Sequence, residues 1–139
     1  MLADVLSPTA ATIRLTLHVL AATIWVGGQF TLAGLLPVLR THEGLAKQAA
    51  RAFNRLAWPA FAVLVLTGMW NLVAVDVTQQ PTVYQVTVFV KIAVAIVAGA
   101  ASAVHIAARS KLALALGGVI GGLASIAAVF LGILLHTGR

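Results

Sequence analysis

The chemistry in this chain gathers on a few polar side chains set in long apolar runs. His18 lies inside Arg14–Gln29, RLTLHVLAATIWVGGQ, a stretch otherwise almost free of ionisable groups. At about 100° per residue, Trp25 and Gln29 share its helix face, and Arg14 lies on that face one turn earlier. An imidazole within a membrane span is costly, so it faces a protein interior, has a partner and marks a functional site. Lys91 interrupts a later apolar run, His136 closes the last one, and Arg139 follows it. Imidazoles ligate metals and haem iron; cations one turn away would pair with carboxylates such as haem propionates.

The elements that must position these residues are transmembrane helices. Of 139 residues, 61% are hydrophobic and 9% charged, and the mean hydropathy is +1.04. A soluble domain of this size could not hide so much apolar surface. With no cysteine, the chain has no disulfide, thiolate metal site or cysteine nucleophile. Its net charge of +6 is spread over connections between apolar runs, which reads as membrane topology and not as nucleic-acid binding.

Four spans are expected, at about 12–36, 56–75, 84–108 and 112–136, as one domain over 1–139. The first is too long for a signal-peptide core and is read as a retained helix. Pro37 is expected to end it. The polar connection 38–54 runs into LAKQAARAFNRL, residues 45–56, which suits an extension of the second helix. The connection Arg109–Ser110–Lys111 is so short that the last two spans must form an antiparallel hairpin. The fold class is therefore an all-α membrane protein, a four-helix up-down bundle. Arg40, Lys47, Arg51, Arg55, Arg109 and Lys111 fall on one side, against Arg14 and Arg139 on the other. By the positive-inside rule both termini are extracytoplasmic.

Depth then sorts the polar groups. His18, Lys91 and His136 fall in the outer half of three different spans, with Arg14 and Arg139 just above them. His105 is about 21 Å deeper than Lys91 at 1.5 Å per residue, toward the cytoplasmic end, where His42 is its nearest companion. Small residues follow one face of the fourth span (Gly118, Gly121 or Gly122, Ser125, Gly132) and one face of the third (Ala95, Ala98, Ser102). Such faces allow close helix packing or leave a slot for a flat group.

LHVLAATIWVGGQF, with His18, Trp25, Gly27 and Gly28, resembles the first helix of the copper resistance D (CopD) domain family. RLAWPAFAVLVLTGMWNL, with Gly68, resembles its second helix, and Tyr84 to Lys91 resembles its step into the third. The resemblance covers nearly the whole chain, as a free-standing four-helix form, and implies copper handling or uptake across the cytoplasmic membrane of a prokaryote. A more distant likeness is to the HemJ type of protoporphyrinogen oxidase, a haem-containing membrane protein. Its first-helix histidine and third-helix lysine would map onto His18 and Lys91.

Copper and haem ask for different ligands. Copper(I) prefers thiolates and thioethers, and this chain offers only Met1 and Met69. Haem b needs one or two histidines, an apolar slot and cations for its propionates. The expectation is haem b near the extracytoplasmic face, serving electron transfer or redox chemistry. His18 and His136 would be its axial pair, Arg14 and Arg139 its propionate partners, Lys91 a propionate partner or ligand, and Trp25 a pocket residue. The alternative is CopD-like copper binding or transport at His18 and His136. An oxidoreductase activity is left open, as are a membrane or extracytoplasmic redox or copper-carrier partner and a homo-oligomer.

Overall fold

A computed structural model describes residues 8–138. Among these the chain is helical with no strand: α1 is Ala10–Leu39, α2 is Leu45–Val75, α3 is Thr82–Ala107 and α4 is Lys111–Thr137. Each helix is long and apolar enough to cross a membrane, and each covers one of the four expected spans. Their surfaces agree with that reading: Val73 is 81% exposed and Val83 79%, and Phe30, Phe89, Leu112 and Phe130 are exposed as well. In water such surface would drive aggregation; in a bilayer it meets lipid.

Local chemistry sets the helix ends. Thr9 caps α1, and Thr9 and Thr12 satisfy each other's backbone N–H groups in a reciprocal capping box. Pro37 does not end α1. It lies in the last turn, where its missing N–H removes only one helical bond, and the helix closes two residues later at Leu39. The connection to α2 is correspondingly short, because α2 starts at Leu45 and includes LAKQAARAFNRL. Gly44 makes this turn with φ of +76°, a conformation a side chain would resist. Ser110 caps α4 by accepting from the Ala113 N–H.

The chain divides into two compact units, 1–75 and 76–139. In the first, α1 packs antiparallel on α2. The interface buries Ala21 and Trp25 of α1 and Ala57, Ala60 and Thr67 of α2. Trp25 sits among aromatic rings, with centroids 5.5 Å from Trp58 and 4.5 Å from Phe61. Midway along α1, Thr23–Gly27 winds as a π-turn, which rotates the face that follows it. The close approach to α2 after the turn falls at Gly28, where a Cβ would collide with the Phe53 ring.

In the second unit α3 and α4 form the expected hairpin. Its seam is Gly117, Gly121 and Ser125 of α4, all buried, against Ala98 and Gly99 of α3. A Cβ on Gly117 would lie 2.8 Å from the His105 backbone nitrogen and 2.9 Å from the Ala101 carbonyl oxygen. Here backbone meets backbone, as small residues at four-residue spacing permit. The tightest contact is thus at Gly117, one residue before the expected start of the small face. Gly118 instead meets the His105 ring, and Gly122 has nothing within 4 Å.

Candidate cofactor site

The first unit assembles the polar group built around His18. The His18 Nδ1 is 2.7 Å from the Thr67 hydroxyl oxygen. The Thr67 hydroxyl donates its own proton to the carbonyl oxygens of Val63 at 2.6 Å and Leu64 at 3.2 Å. The hydroxyl thus links the imidazole to the α2 backbone. Thr67 is 5% exposed, so this arrangement is shielded from water. Gly68 lies beside the ring: a Cβ there would be 3.9 Å from the His18 Cε1.

One turn away, the Arg14 Nε donates to the Asn71 side-chain oxygen at 2.6 Å, and the guanidinium lies 5.8 Å from the Trp70 ring centroid. The two cross-helix bonds keep the register of an antiparallel pair: four residues back on α1 is four residues forward on α2. Asn71 engages only the Nε, and among the described residues the terminal guanidinium nitrogens make no hydrogen bond. The result is an imidazole and a fixed cation on the same side of α1, both held by α2, with no carboxylate on either helix.

Gln29, the third residue of the sequence-predicted face, is partly buried, and its side-chain nitrogen is a buried donor without a hydrogen-bond partner among the described residues. Trp25 is 3% exposed and serves the aromatic packing between α1 and α2.

The other predicted residues belong to the second unit. Lys91 is half-buried, and its ammonium rests against Gly132, where a Cβ would lie 2.8 Å from Nζ. It forms no hydrogen bond or ion pair among the described residues, and α3 and α4 contain no aspartate or glutamate. His136 is exposed near the end of α4, with no hydrogen bond among the described residues. Arg139 lies outside the described residues. His105 donates from Nδ1 to the Leu114 carbonyl oxygen at 2.6 Å, tying the ends of the α3–α4 hairpin. His42 pairs with the neighbouring Thr41 hydroxyl at 2.9 Å. Each of these two histidines thus has a local structural role.

Sequence reasoning missed Thr67 and Asn71 as partners. Only the helix register matches Thr67 to His18 and Asn71 to Arg14. Among the described residues, no three histidine, cysteine, aspartate or glutamate side chains come together as a metal-binding cluster. No family model, curated protein or solved structure matches this chain.

Proposed function

We propose that this chain is a multi-pass protein of a prokaryotic cytoplasmic membrane that binds haem b at His18, near the extracytoplasmic face. The observation that carries the proposal is the His18–Thr67 hydrogen bond at 2.7 Å. It orients the ring through an outer partner, as ligating histidines require. The donor set fits haem better than copper. There is no cysteine, Met69 is 58% exposed, and Arg14 stands one turn from His18, where a cation would repel a bare metal ion but attract a propionate.

In this reading His18 is the axial ligand and Arg14 holds a carboxylate, positioned by Asn71 and Trp70. Haem b would supply one-electron redox chemistry, exchanged with a membrane or extracytoplasmic partner. The protein's own residues would bind the group, orient the imidazole and exclude water.

The absorption spectrum of the purified protein tests this. A Soret band that is lost in His18→Ala supports the proposal; a colourless protein carrying stoichiometric copper supports the CopD-like alternative. The proposed topology, with both termini outside, has its own check. A cysteine at Ser110 should be shielded from impermeant thiol reagents in intact cells and one at Thr78 labelled; the reverse pattern would invert the membrane orientation.

A further inference from the structure

The start of α2 carries an unbalanced cationic stripe. Lys47, Arg51 and Arg55 recur at four-residue steps, so all three lie along one side of the helix, and all are exposed. Like charges at this spacing repel, and cations in the first turns of a helix oppose its macrodipole. There is no acidic residue in α2. Glu43, in the preceding turn, makes no ion pair with the stripe, and no ion pair offsets it among the described residues.

Two further observations say what the stripe meets. The helix has 31 residues, about 46 Å at 1.5 Å per residue, whereas the hydrocarbon core is about 30 Å thick. With the apolar 56–75 portion filling the core, Leu45–Arg55 must run through the headgroup layer. The stripe also borders a concavity of about 170 Å³, lined by Gln48, Arg51, Ala52 and Arg55. Two guanidinium groups and a side-chain amide around a small hollow suit phosphate oxygens.

We propose that Lys47, Arg51 and Arg55 form a docking site for the phosphate headgroup of an anionic phospholipid in the adjoining leaflet. Juxtamembrane cations each favour anionic over zwitterionic lipid by about fivefold, so three together would give up to about a hundredfold preference. The site is independent of any haem at His18.

The test is native mass spectrometry of the full chain released from vesicles of phosphatidylcholine and phosphatidylglycerol. Wild type should retain phosphatidylglycerol at least tenfold over phosphatidylcholine. The preference should fall in 0.5 M salt, approach unity in Lys47→Gln/Arg51→Gln/Arg55→Gln, and persist in Lys47→Arg/Arg51→Lys/Arg55→Lys. Where the triple glutamine variant does not insert, Arg51→Gln alone should lower the preference about fivefold. An unchanged preference in the neutralised variants overturns the proposal. So does equal loss in the control Arg109→Gln/Lys111→Gln, or displacement of the lipid by millimolar inorganic phosphate.

Discussion

The α1–α2 and α3–α4 hairpins solve the same problem with different chemistry. Each pairs two apolar helices where lipid removes the hydrophobic incentive to associate. The first joins them with side chains: an aromatic cluster around Trp25 and, on one side of it, the bonds His18–Thr67 and Arg14–Asn71. The second joins them with almost no side chain at all, through Gly117, Gly121 and Ser125 against Ala98 and Gly99. A side-chain interface leaves polar atoms that can be turned toward a ligand; a backbone interface fills its space. The polar side chains that meet across a helix pair therefore lie in the first hairpin, while Lys91 and His136 of the second make no hydrogen bond among the described residues.

The sharpest way to break this contrast is His18→Ala. It should abolish the absorption band entirely while circular dichroism shows the helices retained. A haem complement that survives His18→Ala and is lost in His105→Ala would move the centre to the other hairpin.

Next in size is Gly117→Leu. With backbone 2.8 Å from the position of its Cβ, the added side chain should force α3 and α4 apart. Overpacking of this kind costs about 1–3 kcal/mol, readable as a lowered melting temperature in detergent. Gly122→Leu, with open space around it, is the matched control and should be nearly neutral.

Thr67→Val keeps the shape of the side chain and removes the hydroxyl that meets His18. The loss of an outer-shell partner should weaken cofactor retention about 10–100-fold, measured by haem transfer to apomyoglobin. Thr67→Ser should restore it. If valine and serine behave alike, the hydroxyl does not position His18.

The smallest effect is expected at His105. Replacing it by Ala removes one bond to the Leu114 carbonyl oxygen and should cost about 1 kcal/mol in thermal stability, with the spectrum of the His18 centre unchanged.

The sequence by itself determined the number of spans, their approximate limits and the α3–α4 hairpin. Those follow from hydropathy and from a connection too short to permit anything else. It also singled out His18 and Arg14, because an ionisable group in an apolar run is conspicuous whatever it touches. Only the tertiary structure decided the partners. Thr67 and Asn71 meet α1 through the register of two helices, which no periodicity within one helix encodes. The π-turn at Thr23–Gly27 is likewise invisible in a regular 100° projection, and it shifts the close approach to Gly28. Gly117 rather than Gly118 leads the seam for the same reason: neighbouring glycines are alike in sequence, and the relative rotation of α3 and α4 selects which one touches backbone.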